Sequence, residues 1–258
     1  MKIMLDAGHG YSTPGKRSFN GMREYEFNRK VAAFAKELLE GFENVTVHFA
    51  HLDERDVPLL ERTDAANRIH VNAYISIHGN ASGTAWNEAN GIETYVYITK
   101  PKEALELAQK IQTHLAEKTG LRNRGVKTAD FHVLRETNMT AVLAECGFYT
   151  NKHEEALMKT AAFQKTCAEA MVQGIAEQFH LLKKQAVQTL FKVQAGSFSD
   201  RKNADELVLV LKAKGFNAFT YTEGPTYKVQ AGAFSDKKAA EQLKARLNAA
   251  GFPAYIHQ

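Results

Sequence analysis

Phe191-Lys192-Val193-Gln194-Ala195-Gly196-Ser197-Phe198-Ser199-Asp200 returns 36 residues later as Tyr227-Lys228-Val229-Gln230-Ala231-Gly232-Ala233-Phe234-Ser235-Asp236. Aligned over 191–222 and 227–258, the copies agree at 16 of 32 positions. Chance does not give this, so the end of the chain is one unit written twice. Each copy reads as strand, helix, strand. An alternating run (191–195) leads into Ser199-Asp200, a helix start. Ala204, Leu207 and Leu211 then share a helical face, Gly215 ends the helix, and Ala218–Tyr221 forms a second short strand. One copy cannot bury its apolar side alone. The two together predict a small α+β domain, βαββαβ over 191–258, with helices on one face of a four-stranded sheet.

Working outward, the polar, aperiodic stretch 181–190 reads as a linker, and residues 1–180 form a separate domain. That domain alternates between strand and helix signals, which predicts an α/β fold with a mixed, mostly parallel sheet flanked by helices. Strands are expected at 2–6, 45–49, 73–78, 92–97 and 141–145. Helices are expected at 24–40, 59–70, 102–119 and 160–179. In the first helix Phe27, Val31, Phe34, Leu38 and Leu39 make an apolar stripe at the helical period.

Composition bounds the function classes. Of 258 residues, 44% are apolar and 24% charged, which excludes a disordered or collagen-like chain. No apolar run reaches the 18 residues a membrane span needs. The first apolar stretch, Ile3-Met4-Leu5, is too short for a signal peptide, so the chain reads as one made in the cytoplasm. Two cysteines, Cys146 and Cys167, exclude a disulfide framework and a four-cysteine metal site. Residues 1–190 carry equal numbers of acidic and basic groups. The net charge of +4 therefore falls in the repeat domain, an excess too small to argue for nucleic acid.

Open α/β sheets bind ligands beyond the carboxyl ends of their strands. His9 follows the first strand, His78 ends the strand beginning at Ala73, and Glu145 ends that beginning at Ala141. Glu24 starts the first helix and can return to the same edge. Two imidazoles and two carboxylates suit a hydrolytic zinc site with three ligands and one proton-transfer group. A histidine at a strand end also serves as an ordinary structural residue, and spacing leaves both readings open. Cys146 offers a rival cysteine-peptidase chemistry. Strand alternation turns it toward the core when Glu145 faces the site, and Cys167, among Ala, Met and Val, reads as core.

Five ordered segments carry a resemblance: Met4-Leu5-Asp6-Ala7-Gly8-His9-Gly10, Gly21–Asn28, Arg62–Asn67, Ser76–Ala81 and Glu145-Cys146-Gly147-Phe148. Together they resemble the zinc-dependent N-acetylmuramoyl-L-alanine amidases of the third amidase family, over about residues 1–180. The repeat resembles a SPOR domain, a module that binds peptidoglycan glycan strands. The layout is similar to sporulation mother-cell wall amidases of bacilli and to phage endolysins. The resemblance implies one zinc held by His9, Glu24 and His78, with Glu145 as the catalytic carboxylate. Glu26 competes with Glu24, but the family's glutamate stands four residues before an asparagine, as Glu24 does before Asn28. Ala7 and Gly79 depart from the commonest pattern without touching a ligand.

The implied reaction cleaves the amide between N-acetylmuramic acid and L-alanine. The implied partner is peptidoglycan, with no nucleic acid and no membrane insertion. Lacking a leader, such an enzyme would reach the wall after lysis or through a pore. The rival class is a wall-binding protein that has lost catalysis. Arg62, Asn80 and His132 are candidate substrate contacts, though Arg62 equally suits a structural ion pair. Trp86 suits sugar stacking or a loop anchor, and Asp6 an imidazole-orienting role or a turn cap. In the repeat domain, alternation sends Val193, Ala195, Ala218, Val229, Ala231, Ala254 and Ile256 toward the helices. It leaves Gln194, Gln230, Phe219, Tyr221 and Tyr255, with Lys192, Lys228 and His257, on an open face suited to glycan.

Overall fold

The computed structural model describes residues 1–13, 15–184 and 190–258. The chain divides into two units, Met1–Lys184 and Gln185–Gln258. In the first, β1 (Lys2–Ala7), α1 (Glu24–Leu39), β2 (Thr46–Phe49), α2 (Leu59–Arg68), β3 (Ala73–Asn80) and β4 (Ile92–Val96) are followed by α3 (Lys102–Thr119), β5 (Asn123–Thr128), α4 (His132–Arg135), β6 (Thr140–Phe148), α5 (Lys152–Met158) and α6 (Ala161–Gln178). The sheet runs β2-β1-β3-β6-β4-β5. Every neighbouring pair is parallel except β4 with β6, so the sheet is mixed and mostly parallel, as the alternation predicts.

Alternation along each central strand sorts side chains into two layers. Ile3, Leu5, Ala7, Ile75, Ile77, Val142, Ala144 and Cys146 face α1, α3 and α6, a broad core that includes Phe27, Val31, Leu107 and Ile111. Met4, Tyr74, Ala141 and Leu143 face the other way, toward the short helices α2 and α4. The second layer is thinner. Asp6, Ser76, His78 and Glu145 continue its parity toward the carboxyl ends of β1, β3 and β6, where apolar cover gives out and a cleft opens.

β3 and β6 run past the ends expected at 78 and 145. His78 pairs in register with Glu145, and a bulge between His78 and Asn80 then brings Asn80 opposite Phe148. The bulge lets the ladder continue while turning the chain outward. Residues 181–184, expected to be linker, close against the first unit: Leu182 O accepts from Glu43 N at 2.8 Å and Lys184 N donates to Gly41 O at 2.8 Å. The rest of that expected linker, up to 189, lies outside the described residues.

In the second unit β7 (Phe191–Phe198), α7 (Arg201–Ala213), β8 (Phe219–Glu223), β9 (Thr226–Phe234), α8 (Lys237–Ala249) and β10 (Tyr255–His257) form an antiparallel sheet in the order β10-β7-β9-β8. Asp200 and Asp236 cap the two helices by accepting from the backbone two residues on, at 2.9 and 3.0 Å. Val193, Ala195, Ala218, Val229, Ala231 and Ala254 are buried beneath them, and Ile256 is partly buried.

Candidate metal and catalytic site

His9, Glu24 and His78 meet at the cleft. Their ligand atoms all lie within 4.8 Å of one another. His78 Nδ1 is 2.8 Å from Glu24 Oε1 and His9 Nε2 is 3.3 Å from Glu24 Oε2. The rings stand edge to face with centroids 5.2 Å apart. Burial works against the Glu24 carboxylate, but hydrogen bonds and charge from His78 and His9 bring its pKa down to about 2, so it stays ionised.

Local sequence explains the convergence. Glu24 and Asn28 sit one turn apart on the same face of α1. Glu24 Oε2 accepts from Lys16 N at 2.7 Å, while Asn28 Nδ2 donates to Gly8 O at 3.0 Å, so one helix face holds both the carboxylate and the loop carrying His9. His9 has a left-handed backbone, φ 68°. Gly8 and Gly15 are required by close approach: a Cβ on Gly8 would lie 2.1 Å from His78 Cε1, and one on Gly15 would lie 2.3 Å from His9 Cδ2. Glu26 is exposed and accepts from Arg23 N at 3.2 Å, closing the start of α1 instead of reaching the histidines.

Glu145 borders the same cleft, which encloses about 750 Å³ and has Val57, Pro58, Leu59 and Phe131 as an apolar wall. The residue as a whole is half-buried, yet its Oε2 is sealed from solvent without a hydrogen-bond partner. Burial raises its pKa to about 8; the nearby His78 charge opposes the rise and Glu24 adds to it. The two carboxylates are thus pushed apart, one held charged between imidazoles and one poised to exchange a proton near neutrality.

The other expected contacts divide. Arg62 is 2% exposed and its donors are spent inside the protein: Nε on Val57 O at 2.8 Å, Nη1 on Asp6 Oδ1 at 2.6 Å and Ala7 O at 2.8 Å, and Nη2 on His9 O. It is a buried ion pair, with four of its five N–H donors held inside the protein. Asn80 borders the cleft, but Nδ2 donates to Glu93 Oε1 at 2.7 Å and Oδ1 accepts from Ala81 N at 2.8 Å. His132 also borders the cleft, its Nε2 3.4 Å from Thr63 Oγ1. Trp86 packs edge-on against Phe19 at 4.9 Å, tying two loops together. Cys146 is fully buried in the larger core beside Cys167, whose thiol burial pushes well above its usual range. Neither thiol borders the cleft, which removes the cysteine-nucleophile reading.

Glu93 escapes a reading of the sequence alone. It pairs in register with Glu145, is buried, and accepts from Asn80, from Tyr95 OH at 2.6 Å, from Arg124 Nε at 2.7 Å and from Lys127. Burial opposes its charge, but these donors bring its pKa to about 2. Arg124 and Lys127 lie on β5, a strand the apolar pattern does not announce. Ser76 was legible in principle, because alternation places it on the face of His78.

On the second unit one row crosses all four strands. Tyr255 pairs with Gln194, Gln194 with Gln230, and Gln230 with Phe219. Tyr255 is 69% and Phe219 51% exposed, and Tyr221 lies 6.3 Å from Phe219 between ring centroids. On one side of this row Lys192 pairs with His257, on the other Lys228 pairs with Tyr221, and Lys228 forms an ion pair with Glu223.

Two histidines and a carboxylate thus converge in an α/β unit beside a buried-edge glutamate, a donor set able to hold a metal ion next to a proton-transfer group. Residues 3–177 match the N-acetylmuramoyl-L-alanine amidase family and residues 188–258 match the SPOR domain. The chain belongs to the N-acetylmuramoyl-L-alanine amidase family and ends in a SPOR domain. It is 37% identical over 219 residues to N-acetylmuramoyl-L-alanine amidase CwlM of Bacillus licheniformis, covering 84% of this chain and 83% of that one. It is 35% identical, with the same coverage, to the sporulation-specific N-acetylmuramoyl-L-alanine amidase of Bacillus subtilis. The crystal structure of N-acetylmuramoyl-L-alanine amidase from Clostridium difficile 630 superposes with a TM-score of 0.67 at 32% identity, covering 69% of this chain and 96% of that one. No helix among the described residues is long and apolar enough to cross a membrane.

Proposed function

We propose that residues 1–180 form a zinc-dependent amidase that opens the amide between the lactyl group of N-acetylmuramic acid and L-alanine in peptidoglycan. Residues 191–258 hold the wall through its glycan strands. The observation that carries the reading is the meeting of His9, Glu24 and His78 within 4.8 Å at a cleft bordered by Glu145. Two imidazoles and a carboxylate are a donor set suited to catalytic zinc. His9 Nε2, the Glu24 carboxylate and His78 Nδ1 would hold one ion, which when bound supplies Lewis acidity at the scissile carbonyl and lowers the pKa of water.

The remaining work falls to the chain's own residues. Glu145, half-buried at the border of the cleft, takes a proton from the attacking water and passes it to the departing L-alanine amine. The wall of Val57, Pro58, Leu59 and Phe131 excludes solvent from the reacting bond, and His132 and Lys16 are ionisable groups at the cleft that can meet the stem peptide. On the SPOR unit, Phe219, Tyr221 and Tyr255 offer ring faces for sugars, while Gln194 and Gln230 offer amides to hydroxyls.

Metal analysis of the purified chain, with mass spectrometry of digested peptidoglycan, tests the reading. About one zinc per chain is expected, together with released peptides that carry a free L-alanine amine. Undiminished wall lysis after thorough chelation, or peptides released by cleavage at another bond, would overturn it. Glycan binding is tested apart, with strands stripped of stem peptides.

A further inference from the structure

We infer that Asp6 and Ser76 are positioning residues that decide which ring nitrogen of His78 is free to hold a cation, with Arg62 as their anchor. The inference rests on reading His78 as a metal ligand. His78 Nε2 lies 3.1 Å from Ser76 Oγ, Ser76 Oγ lies 2.9 Å from Asp6 Oδ2, and Arg62 Nη1 donates to Asp6 Oδ1 at 2.6 Å. Asp6, Arg62 and Ser76 are 1%, 2% and 0% exposed, so bulk water does not substitute for any of these partners.

Counting hydrogens fixes the direction of the chain. Arg62 only donates, and the ionised Asp6 beside it only accepts. The single Ser76 proton is therefore committed to Asp6, and Ser76 Oγ can meet His78 only as an acceptor. Nε2 must carry a hydrogen. Nδ1, 2.8 Å from the acceptor Glu24 Oε1, carries the second proton of the metal-free ring, and it is the nitrogen whose lone pair a cation would take in that proton's place. Gly8 fences the ring from the side, since even a Cβ there would overlap Cε1. The same guanidinium donates to His9 O, so one buried cation braces both imidazoles.

Nitrogen-15 spectroscopy of the histidine-labelled full chain reads the ring directly. A hydrogen is expected on Nε2 in zinc-loaded protein and, alongside one on Nδ1, in metal-free protein where the ring pairs with both Ser76 and Glu24. An unprotonated Nε2 in either form overturns the inference, whatever the variants do. Ser76→Ala should weaken zinc binding by about 10–100-fold, the usual cost of removing the partner of a metal-ligating histidine, and Ser76→Thr should restore it. Asp6→Asn keeps the shape but turns an amide donor toward Ser76, which frees the Ser76 proton for His78, so Nε2 should lose its hydrogen and the metal-free ring keep only the one on Nδ1. Unchanged zinc affinity in a folded Ser76→Ala protein would also refute the assignment. If wild-type protein binds no zinc, the metal reading fails, and the metal-free spectrum still decides the role of Asp6 and Ser76.

Discussion

In the first unit both faces of the sheet are covered by helices, and the polar side chains that matter gather at one edge; in the second, one face is bare and the candidate binding groups lie spread across it. The consequences are electrostatic. At the buried edge Glu24 and Glu145 are driven to pKa values of about 2 and about 8 by neighbours and by burial. On the open face the contacts are neutral amides, rings and a few solvated charges. A covered sheet concentrates charge where water is scarce and can do acid–base chemistry. A bare sheet offers area and shape, and suits binding a long polymer.

Substitutions should separate the two regions by size of effect. The largest is expected for Glu145→Gln, which keeps shape and removes the basic oxygen. Turnover should fall by about 10²–10⁴-fold while zinc content and wall binding persist. Loss of zinc would instead make Glu145 a ligand. Next comes Arg62→Ala, which leaves Asp6 buried without its counter-charge and should cost about 3–5 kcal/mol in urea unfolding. A cost below 1 kcal/mol would mean that this edge is far wetter than its burial implies.

A smaller effect concerns pH. In metal-free protein the folded-state pKa of Glu145 lies above the ordinary 4.5, so its contribution lowers stability as pH rises from about 5 to about 8. His78, raised by its carboxylate neighbours, acts in the same direction. Glu24, held near 2, contributes stability that is lost only as pH falls below about 4.5. Melting temperature should therefore fall less steeply between pH 5 and 8 in Glu145→Gln than in the unsubstituted chain; equal slopes would sink the assignment. The smallest effect belongs to the open face. Phe219→Ala or Tyr255→Ala should each weaken glycan binding by about 0.5–1.5 kcal/mol, with amidase activity on soluble fragments unaltered. If either change halts cleavage of soluble substrate, the division of labour between the regions is wrong.

Legibility follows the same divide. The helix at 102–119 and the start of α1 were readable because long apolar stripes carry their own period. β5 was not, because Asn123-Arg124-Gly125-Val126-Lys127-Thr128 is a polar edge strand with one aliphatic residue. α5 was missed because it is short and depends on its cap: Asn151 Oδ1 accepts from His153 N and Glu154 N. At the site, motif order pointed to His9, Glu24 and His78. The partner of Arg62's ion pair was hidden, because Asp6 stands 56 residues earlier and only the fold brings them together.

The register of β3 against β6 has a hereditary consequence. His78 stands opposite Glu145, while the next residue, Cys146, points into the core. A one-codon insertion or deletion within residues 141–144 would move every following side chain of β6 to the opposite face. The carboxylate would vanish into oil and the thiol would surface beside the histidines. Reading-frame-preserving indels are thus sharply unequal across this gene: those in the polar loop 81–90 leave the faces of the strands unchanged, whereas one in β6 exchanges the kind of atom turned toward the cleft.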